Sequence, residues 1–141
     1  MLPRSHVIAS SIAGIIVWSY FKSFTYAAVT FMSGVLIDLD HVFDYYINHS
    51  VTFRIRDVYK AICDFDFKKL YLVFHSYELI ILLWVLIYTM RLGNFWKAIA
   101  IGMTQHIAMD QIGNPINTFG YFIIYRFAKG FETKSILHAR R

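Results

Sequence analysis

The ionisable side chains of this chain are concentrated at the ends of its apolar stretches. The four apolar stretches run over Val7–Phe21, Phe24–Ile37, Tyr71–Met90 and Phe95–Ile112. If each crosses a membrane once, the chain direction alternates, so the starts of the first and third and the ends of the second and fourth lie on one side. The histidines and carboxylates beside those ends are His6, Asp38, Asp40, His41, His75, Glu78, His106 and Asp110. Because ionisable groups in apolar helices are costly and usually functional, the pattern predicts a metal site facing one compartment.

The composition agrees with a membrane protein. Of the 141 residues, 57% are hydrophobic and only 16% are charged, and the mean hydropathy is +0.48. A soluble domain has roughly 25% charged residues. We therefore predict an all-α fold, in which residues 1–141 form a single membrane-embedded domain. That domain is expected to be a polytopic bundle of about four main helices, one for each apolar stretch.

The net charge of +5 indicates an anionic partner. The basic residues lie between the apolar stretches rather than in one motif, so anionic lipid headgroups explain them better than nucleic acid does. Asn48–Leu70 mixes apolar and basic residues, which predicts an amphipathic segment on the cytoplasmic membrane surface. Cys63 is the single cysteine, so any metal must be held by nitrogen and oxygen ligands.

The loop charges predict the orientation through the positive-inside tendency. With the N-terminus inside, the Lys and Arg residues on the inner side are Arg4, Arg54, Arg56, Lys60, Lys68, Lys69, Arg126, Lys129, Lys134, Arg140 and Arg141. The outer side holds only Lys22, Arg91 and Lys97. Both termini and the metal site are therefore predicted to be cytoplasmic. Val7–Phe21 and Phe24–Ile37 are shorter than the about 20 residues of a spanning helix, so we expect shallow or membrane-thinning helices.

Two local spacings suggest metal ligands. His106 and Asp110 are four residues apart and share a face on a helix, where they would either bind one ion together or form a hydrogen bond between helices. In Asp38-Leu39-Asp40-His41, Asp38 and His41 are expected to share a face if the segment is helical, and Asp40 would then point away from Asp38 unless the helix ends there. The spacing leaves open which carboxylate binds directly, and a solvated helix end is the alternative.

The remaining candidates are weaker. His75 and Glu78 would share a helical face at i and i+3, a spacing used in metal-binding bundles. His6 gains its weight only from lying on the same side as the others. We predict six metal ligands, which are His6, Asp40, His41, His75, His106 and Asp110. Asp38 and Glu78 are assigned to catalysis as a base or as orienting groups.

The order of these motifs resembles a known family. His6, the Asp38–His41 motif, His75-Ser76 and the His106–Asp110 motif follow one another as in the small bacterial membrane proteins called membrane-bound metal-dependent hydrolases. The resemblance covers roughly residues 1–115 and implies a hydrolase of the cell inner membrane. The set is more loosely similar to zinc-dependent phospholipase C and related single-strand nucleases, which are helical proteins with clustered zinc ions.

The chain departs from that family at two places. Members often have a proline before the Asp-x-Asp-His motif and an arginine in the lead into His-Ser, whereas this chain has Ile37 and then Val73-Phe74. The missing arginine removes a phosphate-binding group, so the substrate class is not carried over from the resemblance.

The predicted function is metal-dependent hydrolysis of a phosphoester. Imidazole and carboxylate ligands suit zinc, with manganese or iron as alternatives, and two or three ions could activate water and clamp phosphoester oxygens. The expected substrate is a lipid phosphate or phosphodiester at the cytoplasmic membrane face. One alternative is a membrane di-iron oxidase, although such sites generally use more than the six histidines present. The other is a non-catalytic scaffold or transporter-like protein that uses the polar cluster for assembly.

Overall fold

The computed structural model describes residues 3–49 and 54–137, which are mainly helical. The helices are α1 (Pro3–Phe21), α2 (Phe24–Leu36), α3 (Leu39–Asn48), α4 (Ile55–Asp64), α5 (Tyr77–Thr89), α6 (Asn94–Gly113), α7 (Ile123–Ala128) and α8 (Thr133–Ile136). A short 3₁₀ helix, Thr118–Tyr121, lies between α6 and α7. Over the two described ranges there is no β-strand, only isolated bridges from Lys69 to Glu132 and from Ile116 to Leu137. The prediction of an all-α fold is confirmed.

The chain divides into two compact units. The first unit comprises Met1–Ile37 and Glu78–Gly113, and the second comprises Asp38–Tyr77 and Asn114–Arg141. The first unit therefore contains α1, α2, α6 and nearly all of α5. The second contains α3, α4, the 3₁₀ helix, α7 and α8. That the whole chain is a single domain stays a prediction.

Small and hydroxyl-bearing residues form the helix contacts of the first unit. A Cβ added at Gly102 on α6 would collide with the backbone oxygen of Thr30 and the hydroxyl of Ser33 on α2. The Thr30 hydroxyl donates to the Ala98 carbonyl over 3.1 Å, and Ser10 on α1 donates to Gln105 over 3.1 Å. Such residues let helix backbones approach closely, and this approach fixes α6 against α2.

The outer surface of the first unit is rich in large apolar side chains. Ile8 is 61% exposed, Ile15 62%, Trp18 54% and Phe24 80%. Small residues thus face inward and large apolar residues face outward, whereas a helix of a soluble bundle buries its apolar face.

The second unit has an apolar core around a segment without regular structure. Leu70, Leu72, Ile116, Tyr121 and Ile136 are each at most 1% exposed. Leu70 and Leu72 belong to the irregular segment that precedes α5, and the other three come from the chain after α6. The irregular segment before α5 therefore shares one apolar core with the part of the unit that follows α6.

Helix α4 lies within the predicted amphipathic segment Asn48–Leu70. Ile55 and Tyr59, four residues apart on one face, are 83% and 50% exposed. Arg56 and Lys60 are exposed one residue further along, on an adjoining face. Helix α4 is thus amphipathic, whereas Val51 and Phe53, which also entered the prediction, lie outside the described residues.

One predicted helix differs from the observed one in extent. The apolar stretch Tyr71–Met90 was expected to be helical throughout, but α5 begins at Tyr77. The backbone N–H groups of Tyr71 and Leu72 donate to the carboxylate of Asp44 instead of forming a helical ladder. The prediction that His75 and Glu78 share a helical face is therefore wrong.

By length and composition, one helical stretch of the described chain could cross a membrane. It is Phe24–Asn48, with a mean hydropathy of 1.2, and Tyr77–Thr89 is a shorter apolar helix. The core helix of a soluble protein passes the same test, so the polytopic bundle of about four spanning helices stays a prediction.

Candidate metal centres

His6, His106 and Asp110, which we call the first group, come together inside the first unit. Each offers a ligand atom, and these atoms lie within 4.8 Å of one another. His6 Nε2 is 3.0 Å from Asp110 Oδ1, and His106 Nε2 is 3.3 Å from Asp110 Oδ2. The two imidazole rings are stacked, with centroids 4.0 Å apart. All three residues are buried, with at most 3% exposure, so this is a compact site with imidazole and carboxylate ligands.

The approach of α2 to α6 orients His106. Its Nδ1 lies 2.6 Å from the carbonyl oxygen of Gly34, and a Cβ at Gly34 would lie 3.2 Å from the Gly102 oxygen. A carbonyl only accepts hydrogen bonds, so Nδ1 must carry the proton. In the neutral ring, the Nε2 lone pair then faces the Asp110 carboxylate. A shared proton or a bound cation would remove the repulsion between these two acceptors.

His6 gives a further indication. Its Nδ1 is buried and has no hydrogen-bond partner among the described residues. Buried polar atoms usually have a partner in the protein, a water molecule or an ion. The site thus has capacity for a bound group beyond the contacts that its side chains make with one another.

Asp38, His41 and His75, which we call the second group, come together inside the second unit. Their ligand atoms also lie within 4.8 Å of one another. Asp38 Oδ1 is 3.9 Å from His41 Nε2 and 3.6 Å from His75 Nε2. Both histidines are buried, whereas 31% of the Asp38 side chain is exposed. This group therefore has one carboxylate open to solvent.

Asp40 orients His75 from the other side of its ring. Asp40 Oδ2 lies 3.3 Å from His75 Nδ1 and accepts the N–H groups of Phe74 and His75. Because a carboxylate accepts, the proton belongs on Nδ1, and Nε2 presents its lone pair toward Asp38. Histidines that bind metal usually donate their other ring N–H to a carboxylate or carbonyl. His75 and His106 both have this arrangement, and both groups could hold a metal ion.

The predicted site residues thus fall into three classes. Six belong to the two groups, which are His6, His106 and Asp110, and Asp38, His41 and His75. Asp40 contacts His75 but belongs to neither group. Glu78 lies in the first turn of α5, half-buried, and belongs to neither group within the described ranges. The catalytic roles assigned to Asp38 and Glu78 stay predictions.

The sequence did not single out Asp44 or Arg126. Asp44 follows Asp40 by four residues, and this helical spacing was the available signal. Arg126 was counted as a loop charge, but it is fully buried. Its guanidinium donates to the carbonyls of Leu72, His75 and Gly120. A lone cation within the apolar run Phe119–Phe127 was the only sign of this.

Comparison with protein-family models, curated proteins and solved structures finds no match. The resemblance to the membrane-bound metal-dependent hydrolases therefore rests on the motif residues and stays a prediction.

Proposed function

We propose that this protein is a membrane-bound, metal-dependent hydrolase in which the first and second groups each hold a divalent ion. The observation that carries the proposal is the orientation of His106 and His75. Each has its Nδ1 proton directed at a carbonyl or carboxylate and its Nε2 directed at the carboxylate of its own group. This is how metal-binding histidines are usually held.

The ligand number favours catalysis over a structural role. Each group offers three residues, and catalytic zinc sites generally use three protein ligands and leave one position open. Zinc suits neutral imidazole and carboxylate, and manganese or iron are alternatives. Such an ion would supply Lewis acidity toward a phosphoryl oxygen and toward water. In this proposal Asp38 is the direct ligand of the second group and Asp40 orients His75, which reverses the roles predicted for these two carboxylates from the sequence.

The side chains have distinct tasks in this proposal. Asp110 holds His6 and His106 in one site, while the Gly34 carbonyl fixes the His106 ring. Asp38 is the most exposed member of the second group, so it is the side chain best placed to meet water or substrate. Glu78 remains the candidate general base. It is a half-buried acidic residue in the first turn of the apolar helix α5, where the helix dipole favours an ionised carboxylate.

The outward-facing apolar surface of the first unit supports membrane insertion. Soluble proteins rarely expose contiguous apolar patches of this kind, and Ile8, Ile15 and Phe24 are each more than 60% exposed. We infer a multi-pass protein of the cell inner membrane, with α1, α2, α5 and α6 in the bilayer and both termini cytoplasmic. Because α2 and α5 have only 13 residues each, the bilayer would thin around them.

The basic surface of the second unit supports a lipid phosphate or phosphodiester as substrate. The exposed cations of this unit's first segment are Arg54, Arg56, Lys60, Lys68 and Lys69. Such cations attract anionic headgroups by about 1 kcal/mol each. They would hold the headgroup at the cytoplasmic surface, and the acyl chains would remain in the bilayer. Nucleic acid is not expected as a partner.

The test combines metal analysis with a substrate panel. Detergent-solubilised protein is loaded with zinc or manganese and incubated with lipid phosphates and phosphodiesters, beside an Asp110→Ala control. We expect two ions per chain and turnover of at least one lipid that the control does not hydrolyse. Loaded protein that never exceeds the control across the panel would remove the lipid-phosphate proposal.

A non-catalytic scaffold is the second candidate, and the stacking of His6 on His106 favours it. That stack and the two contacts with Asp110 join α1 to α6 without any ion. Purified protein that contains no metal, and whose thermal stability does not respond to zinc, would favour the scaffold.

A further inference from the structure

The second unit contains a buried segment whose backbone has no regular hydrogen-bonded ladder. It connects Leu70 to Tyr77, and Leu72, His75 and Ser76 within it are at most 1% exposed. Buried backbone N–H and C=O groups need hydrogen-bond partners. Charged side chains of the same unit supply most of them.

Two carboxylates of α3 accept the N–H groups of this segment. Asp44 Oδ2 accepts from Tyr71 over 2.9 Å and from Leu72 over 3.1 Å. Asp40 Oδ2 accepts from Phe74 and, over 3.3 Å, from His75. Asp40 and Asp44 are four residues apart and lie on one face of α3. The carboxylates on this face therefore bind the backbone N–H groups of the segment.

One guanidinium binds the carbonyl groups. Arg126 is 0% exposed. Its Nη1 donates to the His75 and Gly120 oxygens over 3.0 Å each, and its Nη2 donates to the Leu72 oxygen over 2.9 Å. A planar guanidinium presents its donors in a fixed geometry, which the ammonium of lysine does not reproduce.

We propose that Arg126 is a positioning residue for the second group, and that it sets metal affinity there by fixing the backbone of His75. Arg126 donates a hydrogen bond to the His75 carbonyl, and Asp40 accepts from the backbone N–H and the ring Nδ1 of His75. The remaining ring nitrogen, Nε2, is thereby directed toward Asp38. Without the guanidinium, the His75 backbone has freedom to move and Nε2 no longer meets Asp38 and His41 in one geometry. This role rests on the proposed function, because it requires an ion at the second group.

A purely structural role predicts a different outcome. If Arg126 served only the stability of the core, an apolar residue of similar size would leave the Leu72, His75 and Gly120 carbonyls without this donor and would lower the stability of the fold. The metal site of the folded protein would then be unchanged. A positioning role predicts a folded protein with an altered metal site.

The experiment uses Co²⁺ as the probe in full-length protein that carries His106→Ala, so that only the second group reports. Absorption bands of Co²⁺ give both affinity and coordination geometry. Three variants are compared in this background: Arg126→Met, Arg126→Lys, and the matched control Lys129→Met. Lys129 is an exposed cation three residues away, near the Tyr125 ring.

We expect Co²⁺ affinity to fall by about 10- to 100-fold in Arg126→Met, the usual cost of losing a group that supports a metal ligand. The band pattern should change, Arg126→Lys should recover part of the affinity, and Lys129→Met should match the background protein. If Arg126→Met does not fold, the Co²⁺ affinity and spectrum of Arg126→Lys test the positioning role instead.

Folded Arg126 variants with the affinity and spectrum of the background protein would overturn the positioning role while leaving the proposed function intact. A background protein that binds no Co²⁺ would overturn the ion at the second group, and the role of Arg126 with it.

Discussion

The two candidate metal groups hold their histidines by different means. In the first group, His106 is fixed by a backbone carbonyl, and that carbonyl is in place because glycines let α2 and α6 touch. In the second group, His75 lies on an irregular segment and is fixed by the charged side chains of Asp40 and Arg126. Metal affinity at the first group should therefore fall when a side chain is enlarged between α2 and α6. Metal affinity at the second group should fall when a charged side chain that supports His75 or its segment is neutralised.

The largest expected effects come from removing ligands. Asp110→Asn should reduce the metal content from two ions per chain to one, His75→Ala should do the same, and the double variant should bind none. Each single change should abolish turnover. Chelation should lower the melting temperature of the wild type, since an ion at 100 times its Kd stabilises the native state by about 2.7 kcal/mol.

Elemental analysis and thermal unfolding check this prediction. Asp66→Asn is the matched control, because the Asp66 side chain is exposed and its carboxylate, 3.8 Å from His49 Nε2, belongs to neither group. Two ions per chain retained in both Asp110→Asn and His75→Ala would show that neither residue is a necessary ligand.

Added volume should separate the two groups. In Gly102→Ala, the new methyl group would meet the Thr30 backbone oxygen on α2, and the fold should lose about 1 to 3 kcal/mol from overpacking. His106 should be displaced with α6, so the first group should lose metal affinity while the second keeps it. Alanine is favoured over glycine within a helix by about 1 kcal/mol, which opposes the predicted loss and makes the test stricter.

Gly93→Ala is the control for the added methyl group alone, because Gly93 lies just before α6 and a Cβ there has no neighbour within 4 Å. Thermal unfolding and Co²⁺ titration of both variants are the measurements. Equal melting temperatures for the two alanine variants would argue against the close approach of α2 and α6.

Removal of the Asp44 charge should affect the second group rather than the first. In Asp44→Asn, the amide oxygen can still accept from Tyr71 and Leu72, but the bonds are no longer charge-assisted and are roughly half as strong. We expect a loss of about 1 to 2 kcal/mol and weaker Co²⁺ binding at the second group, with the first group unchanged. Asp64→Asn, an exposed acid at the end of α4, should change stability by less than about 0.5 kcal/mol. Equal losses in the two variants would contradict the role of Asp44.

The sequence predicted those parts of the fold and site that depend on local spacing. The apolar stretches marked α1, α2 and α6 closely, and the i to i+4 spacing placed His106 beside Asp110 because both lie on one helix. The all-helical class follows from composition in the same way.

What the sequence did not predict depends on contacts between distant residues. Tyr71 to Phe74 continues the apolar run of the helix after it, so the length of that run extended the predicted helix too far. The carboxylates of Asp40 and Asp44 take up the N–H groups there, and nothing local reveals this. Arg126 is 51 residues from His75, so its bond to the His75 carbonyl has no signal in sequence spacing.

The smallest expected effect concerns the surface cations, which belong to neither group. Lys68 and Lys69 are exposed, and their backbone N–H groups donate to Asn48 whatever side chain they carry. Lys68→Gln with Lys69→Gln should therefore leave the fold and both metal groups intact. At up to about 1 kcal/mol per cation near an anionic surface, the loss of both cations should raise the KM for a lipid phosphate by at most about 30-fold, with kcat unchanged.

The salt dependence of KM tests whether the effect of Lys68 and Lys69 is electrostatic. The difference in KM should disappear near 1 M salt, where the screening length falls to about 3 Å. The matched control removes two charges from the predicted outer side, with Lys22→Gln and Arg91→Gln, and both of those residues are exposed. This pair should leave KM unchanged at every salt concentration, because the proposed orientation keeps it away from the cytoplasmic headgroups. A salt-dependent rise in KM of the same size in both pairs would contradict that orientation, while the difference between the two metal groups would stand.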